Sequence, residues 1–305
     1  MNPPADSSPA ARRPRSWKRR LIIWVLEAAV VYVGVVIVLS AMENWMLYHP
    51  IPASEDWIDP SVYNLKVQDV ELHMADGTRL HAWWCPIENA TDNHAAGALL
   101  YCHGNAGNLS HRAYAISSWQ QALHLPVLIF DYPGYGKSAG KPGEKQCYAA
   151  ADAAYDWLTQ TKGVPGDQIV VYGGSLGGGV AVDLASRRPH RALVLAKTFT
   201  SIPDVGQSVY PWLPVRWVMR NRFDNLAKIG QCRRPVFMAH GTADGLVPFS
   251  LAQKLYEAAN EPKHFSILEG RDHNDALPPE MFQELRTFLE NQQAPVVVNS
   301  KPSPQ

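Results

Sequence analysis

The chain has 305 residues, 46% of them hydrophobic, which predicts one large domain with an appendage. Its 28 basic residues balance its 28 acidic ones, so nothing in the charge indicates a nucleic-acid partner. The four cysteines are widely spaced, which argues against a metal site and a dense disulfide framework, and we expect neither a metal nor another cofactor.

The first 41 residues differ in composition from the rest. Residues 1–20 form an expected disordered tail with a basic block, made up of Arg12, Arg13, Arg15, Lys18, Arg19 and Arg20. Residues 21–41 are almost wholly apolar and about long enough to cross a bilayer core. A cleaved signal peptide is the alternative, but the run is longer than usual and residues 39–41 make a poor cleavage site.

We therefore predict a single-pass membrane protein with a retained signal anchor at residues 21–41. The basic block places the N-terminus in the cytoplasm and the rest of the chain on the non-cytoplasmic side. Trp45 and Tyr48, just beyond the anchor, fit an aromatic belt at the membrane surface.

Residues 42–290 alternate between strand and helix patterns, and residues 291–305 are an expected disordered tail. Segments 67–73 and 80–86 flank a turn and predict an antiparallel hairpin. Apolar runs at 98–102 and 127–130 predict buried strands, and a helix is expected over 144–161.

The sequence Gly-Gly-Ser-Leu-Gly at 173–177 follows an apolar, β-branched run and leads into a helical pattern. A strand, tight turn and helix with a serine at the turn is the geometry of a G-x-S-x-G nucleophile elbow. A phosphate-cradling loop is the alternative, but no Gly-Lys-Ser/Thr follows, and the dinucleotide spacing fails at Val182. Ser175 is the candidate nucleophile.

A strand at 192–196 follows, and then residues 202–229 interrupt the alternation of strands and helices. This insertion is rich in apolar side chains, namely Val209, Tyr210, Trp212, Leu213, Val215, Trp217 and Val218. An insertion here would cover the active site as a lid, and an ordinary packing helix is the alternative.

A buried strand at 235–241 runs into a turn that contains Asp244, and a strand at 264–270 ends shortly before His273. Ser175, Asp244 and His273 each follow a predicted strand, where side chains from separate loops converge at one sheet edge. Their chain order is that of α/β-hydrolases.

Other residues compete for these roles. His240 lies inside a strand-end turn and is interpreted as structural. Asp272 and Asp275 flank His273, and an adjacent residue cannot easily turn its carboxylate toward the imidazole Nδ1. The sequence therefore favours Asp244 as the acid and His273 as the base.

Acyl transfer also needs two hydrogen-bond donors where negative charge develops on the substrate oxygen. One predicted donor is the backbone N–H of Leu176, directly after the nucleophile. The other is the N–H of Asn105, in the loop at 103–108 that follows an early strand. A turn without chemistry is the alternative meaning of such asparagine and glycine residues.

Five segments occur in a recognisable order, namely 103–108, 130–138, 173–177, 240–244 and 272–274. Together they resemble the α/β-hydrolase domain-containing serine hydrolases of the membrane-anchored branch, the abhydrolase family. The resemblance covers residues 47–290. It implies an α/β-hydrolase fold, with a mostly parallel doubly wound sheet, an N-terminal antiparallel hairpin and a short lid insertion, preceded by one transmembrane helix.

The resemblance places a catalytic triad on Ser175, Asp244 and His273. It implies a serine hydrolase that cleaves an acyl ester or thioester in a lipid-like or acylated substrate, through an acyl-enzyme intermediate. A peptidase or amidase with the same triad and a non-catalytic membrane-anchored binding scaffold are the alternatives.

Overall fold

The structure, a computed structural model, describes residues 17–87 and 97–292. The chain divides into two units, Met1–Met42 and Glu43–Gln305. The first contains helix α1 (Trp17–Ala41), which has 25 residues, none of them buried. Among the described residues, α1 is the one helix long and apolar enough to cross a membrane.

Helix α1 begins four residues earlier than residue 21, where the anchor is predicted to start. Residues 17–20, predicted to belong to a disordered tail, form its first turn, because arginine and lysine are good helix formers that extend the apolar segment. The remaining tail residues, 1–16 and 293–305, lie outside the described part of the chain.

The second unit contains ten strands among its described residues. These are β1 (His49–Pro50), β2 (Gln68–His73), β3 (Arg79–Cys85), β4 (Ala98–Cys102), β5 (Ala106–Gly107), β6 (Val127–Phe130), β7 (Ile169–Gly174), β8 (Ala192–Ala196), β9 (Val236–Gly241) and β10 (Lys263–Leu268). The short strands β1 and β5 pair with each other in parallel.

The other eight strands form one sheet in the order β10-β9-β8-β7-β4-β6-β3-β2. The neighbours from β10 to β6 are parallel. Strand β3 is antiparallel to both β2 and β6, which confirms the predicted hairpin at the start of a mostly parallel sheet.

The helices of the second unit connect these strands and include several short ones. They are α2 (Glu43–Leu47), α3 (Ala113–Leu123), α4 (Glu144–Asp156), α5 (Leu176–Arg187), α6 (Ile202–Val209), α7 (Val215–Val218), α8 (Asn225–Lys228), α9 (Phe249–Ala258) and α10 (Pro279–Asn291). Helix α4 continues into a π-helical turn, Trp157–Thr161, so the predicted helix at 144–161 changes its winding near its end.

The sheet is buried on both faces. All residues of β4, β6 and β8 are buried, as expected for central strands covered by helices on each side. Successive residues of β4 alternate between two cores: Leu99 belongs to the core that contains Trp119 of α3, and Leu100 belongs to the core that contains Val180 of α5. This double covering confirms the predicted α/β class and leaves the strand ends to carry the loops.

The insertion at residues 202–229 contains the three short helices α6, α7 and α8, between β8 and β9. The stretch between α7 and α8 is held by Glu43, which is buried and accepts the backbone N–H groups of Arg220 and Asn221. The interpretation of Tyr48 as a membrane-surface aromatic is wrong. Tyr48 is 3% exposed, and its hydroxyl donates to Asn221 Oδ1, because α2 lies against the insertion.

Candidate active site

Ser175 lies in the turn between β7 and α5, with φ 53° and ψ −122°. A positive φ is unusual for a residue with a side chain and indicates backbone strain at this turn. The turn packs closely on the end of β4 and the start of the next loop, since a Cβ at Gly177 would clash with the carbonyl oxygens of Cys102 and His103. Glycine at 177 therefore permits the sharp turn that presents the serine.

Ser175, Asp244 and His273 come together at the carboxyl edge of the sheet. His273 Nε2 lies 3.0 Å from Ser175 Oγ, and His273 Nδ1 lies 2.7 Å from Asp244 Oδ2. An ionised carboxylate only accepts hydrogen bonds, so Nδ1 donates to Asp244 and Nε2 keeps its lone pair for the serine hydroxyl. This arrangement allows the imidazole to take the serine proton.

Asp244 is held in its ionised form by its surroundings. Burial alone would raise its pKa, but hydrogen bonds from His240, His273 and the backbone of Val247 outweigh burial and lower the pKa below its ordinary value. The N–H groups of Leu246 and Val247 donate to Oδ1 at 3.0 and 2.7 Å. The carboxylate is thus fixed on one oxygen by the backbone and on the other by histidine.

His240 is a site residue whose contact the sequence did not reveal. It is fully buried, and its Nε2 donates to the carbonyl oxygen of Val247 at 2.9 Å and lies 3.3 Å from Asp244 Oδ2. The sequence interpretation of His240 as structural therefore omits its contact with the acid. Its four-residue separation from Asp244 across a strand end is the one sequence signal for this contact.

Asp272 connects the acid loop to the base loop without contacting the imidazole Nδ1. Its Oδ1 accepts the backbone N–H of Gly245 at 2.9 Å and that of His273 at 2.7 Å. These hydrogen bonds lower the pKa of the exposed Asp272 carboxyl. Asp272 therefore fixes the position of His273 relative to the turn that carries Asp244.

The loop after β4 lies beside the nucleophile. A Cβ on Gly104 would be 3.6 Å from Ser175 Cβ, so the loop backbone passes directly next to the serine. The loop is held by the hydroxyl of Tyr132, which donates to the carbonyl of His103, and by that of Tyr135, which donates to the carbonyl of Asn105. The two predicted oxyanion donors, Asn105 and Leu176, thus lie on the two chain segments that adjoin Ser175.

The four cysteines are free and buried. Burial raises the pKa of the thiols at Cys85, Cys147 and Cys232 to about 12, so these three stay protonated at neutral pH. Within residues 17–87 and 97–292, no group of three or more His, Cys, Asp or Glu side chains could hold a metal ion.

Comparisons with known proteins agree with the observed fold. The family model of the α/β-hydrolase fold matches residues 97–225. An uncharacterized protein of Mycobacterium tuberculosis is 36% identical over 271 residues, which cover 86% of this chain and 92% of that protein. The α/β-hydrolase domain-containing protein 17B of Xenopus tropicalis is 30% identical over 248 residues, covering 81% of this chain and 82% of that protein.

A solved structure has the same fold. The esterase Pf2001 of Pyrococcus furiosus superposes with a TM-score of 0.63 and 21% sequence identity, covering 80% of this chain and 98% of the esterase.

Proposed function

Because the chain belongs to the α/β-hydrolase family, we propose that it is a serine hydrolase that cleaves an acyl ester or thioester. The observation that carries the proposal is the continuous hydrogen-bonded series from Ser175 through His273 to Asp244, with separations of 3.0 and 2.7 Å. A nucleophile, a base and an orienting acid in this order are the requirements for nucleophilic acyl transfer.

In the first half of the reaction, Ser175 Oγ attacks the acyl carbonyl carbon while its proton passes to His273 Nε2. Asp244, ionised, stabilises the imidazolium that forms. The oxyanion of the tetrahedral intermediate accepts hydrogen bonds from the N–H groups of Asn105 and Leu176. The carbon–oxygen or carbon–sulfur bond to the leaving group then breaks, and the alcohol or thiol takes the proton from His273.

In the second half, a water molecule attacks the acyl group on Ser175 and gives a proton to His273. The ester bond to Ser175 breaks, the carboxylic acid leaves, and the proton on His273 returns to Ser175 Oγ. Both half-reactions use the same two hydrogen bonds of the imidazole.

The insertion supports an acyl-chain substrate. It begins six residues after β8 ends, on the sheet edge that carries the site, and exposes the large side chains of Val209, Tyr210, Trp212 and Trp217. Exposed apolar patches mark surfaces that bind apolar ligands or membranes. The Pyrococcus protein with this fold is named an esterase, which agrees with an ester substrate. The insertion would act as a lid over a lipid-like acyl group.

We also propose that α1 is a retained signal anchor and that the catalytic unit lies on the non-cytoplasmic side of the membrane. Support comes from the length and apolar composition of α1 and from the basic block within residues 12–20. An anchored enzyme would work beside a lipid surface, where acylated substrates are concentrated.

Labelling with a fluorophosphonate probe tests the proposed chemistry, since this reagent modifies an activated serine. The full-length protein should be labelled at Ser175, and Ser175→Ala should abolish labelling. The matched control is Ser186→Ala in α5, the helix that follows the nucleophile, because Ser186 Oγ donates to the carbonyl of Asp183 away from the site. Labelling that persists in Ser175→Ala would contradict the proposal, and folded wild-type protein that resists the probe would favour a binding scaffold.

A further inference from the structure

Two residues with left-handed backbone lie side by side at the carboxyl edge of the sheet. Ser175 follows β7 and Lys197 follows β8, and each has φ 53°. The preceding residues, Gly174 and Ala196, are register partners in the two adjacent strands. A long side chain such as lysine rarely adopts this conformation, and such outliers concentrate at functional sites.

The residues on either side of Lys197 hold the backbone of the nucleophile. The N–H of Ser175 donates to the carbonyl of Ala196 at 2.9 Å, and Thr198 Oγ1 donates to the carbonyl of Ser175 at 3.0 Å. The N–H of Lys197 itself donates to the carbonyl of Ala239 in β9. The turn at 196–198 is therefore bonded to residues at the ends of both neighbouring strands. It holds Ser175 through hydrogen bonds to the N–H and to the carbonyl of that residue.

The Lys197 side chain reaches the loop that carries the base, His273. Its half-buried ammonium donates to the carbonyl oxygen of His273 at 2.8 Å and also to that of Asp275. Hydrogen bonds from a charged donor are roughly twice as strong as neutral ones. A single residue thus links the turn that holds the nucleophile to the loop that carries the base.

We propose that Lys197 is a positioning residue that keeps His273 Nε2 within hydrogen-bond reach of Ser175 Oγ. The inference rests on the proposed function, since it assigns a role only if these two atoms exchange a proton. The left-handed backbone directs the lysine side chain along the sheet edge, and the ammonium closes the connection to the base loop. Without it, the loop at 272–275 keeps its own hydrogen bonds but loses its tie to β8.

The test compares Lys197→Met, which keeps the aliphatic stem, with Lys197→Arg, which keeps the charge. Lys263→Met is the matched control, because Lys263 is another half-buried lysine whose ammonium donates to backbone carbonyl oxygens, those of Tyr256 and Ala259, outside the site. The measurements are kcat and KM for p-nitrophenyl butyrate and the second-order rate constant of inactivation by a fluorophosphonate. Both use full-length protein, and circular dichroism measures the folded fraction of each variant.

We expect Lys197→Met to lower kcat and the inactivation rate about 10- to 100-fold with little change in KM, because small displacements of a catalytic group have effects of this size. Lys197→Arg should recover part of the loss, and Lys263→Met should match the wild-type kcat. Wild-type values for folded Lys197→Met would overturn this inference alone. A wild-type protein that reacts with neither reagent would overturn the proposed function and this inference together.

Discussion

Asp244 Oδ2 lies between two histidines, 2.7 Å from Nδ1 of His273 and 3.3 Å from Nε2 of His240. His240 lies near the end of β9, directly before the turn that carries the acid, whereas His273 comes from the loop after β10. A residue of β9 therefore holds Asp244, while Asp244 orients His273, which follows β10. This double contact explains why Asp244 stays ionised although it is buried.

Replacing His240 tests this contact. His240→Leu should lower the free energy of unfolding by about 1–3 kcal/mol. The reason is that the buried carbonyl of Val247 loses its hydrogen-bond donor and the Asp244 carboxylate loses one of its donors. We expect kcat for an acyl ester to fall as well. His240→Gln, which can place an N–H near the same position, should lose less of both. Thermal unfolding and kcat check the prediction, and equal behaviour of the two variants would contradict it.

The lowered pKa of Asp244 has a defined effect on stability. Its folded-state pKa lies below the unfolded value of about 3.9, so the folded protein binds fewer protons than the unfolded chain near that pH. The stabilisation from this carboxylate is complete above about pH 5 and is lost as the pH falls toward the folded-state pKa. The difference in unfolding free energy between wild type and Asp244→Asn should therefore narrow from pH 5 to pH 3. If this difference in unfolding free energy widened from pH 5 to pH 3, the pKa of Asp244 would be raised by folding, which would contradict the prediction.

Glu43 fixes the stretch of the insertion between α7 and α8. Its buried carboxylate accepts the N–H groups of Arg220 and Asn221 and the side-chain amide of Asn221. Glu43→Gln replaces one of the two accepting carboxylate oxygens with an NH2 group, which cannot accept these hydrogen bonds. We therefore expect the free energy of unfolding to fall by about 1.5–3 kcal/mol. Amide hydrogen exchange over 215–223 should accelerate. The exposed Glu55→Gln is the control and should leave exchange unchanged.

The proposed orientation of α1 in the membrane depends on the basic block. Neutralising the six basic residues within 12–20 with glutamine should move a reporter fused after residue 305 partly into the cytoplasm, since Lys and Arg flanking the apolar segment set its orientation. A variant in which all six are lysine keeps the charge and should retain the original topology. A reporter that is cytoplasmic with the native sequence would contradict the proposed location.

The strands and the fold class could be predicted because central strands of a parallel sheet are apolar on both faces. The predicted runs at 98–102, 127–130 and 192–196 coincide with β4, β6 and β8. The same strands determine which loops meet at one edge, and the structure brings together the residues that the motifs indicated. Whether these residues catalyse the reaction stays a prediction.

The remaining features depend on contacts that no local pattern encodes. Tyr48 bonds to Asn221, 173 residues away, and its position after an apolar helix is equally typical of an aromatic at a membrane surface. The sequence gives no sign that Lys197 has a left-handed backbone, since glycine is the residue normally expected in that conformation. Tertiary hydrogen bonds determine both positions.

The most direct test of the proposed chemistry is the turnover of p-nitrophenyl and thiol esters, from acetyl to palmitoyl, by the full-length protein and by Ser175→Ala. The wild-type protein should hydrolyse at least one class, with a preference for longer acyl chains if the insertion binds lipid-like groups. Ser175→Ala should lose about three or more orders of magnitude in kcat. Hydrolysis by folded Ser175→Ala at the wild-type rate would contradict the assignment of Ser175 as the nucleophile.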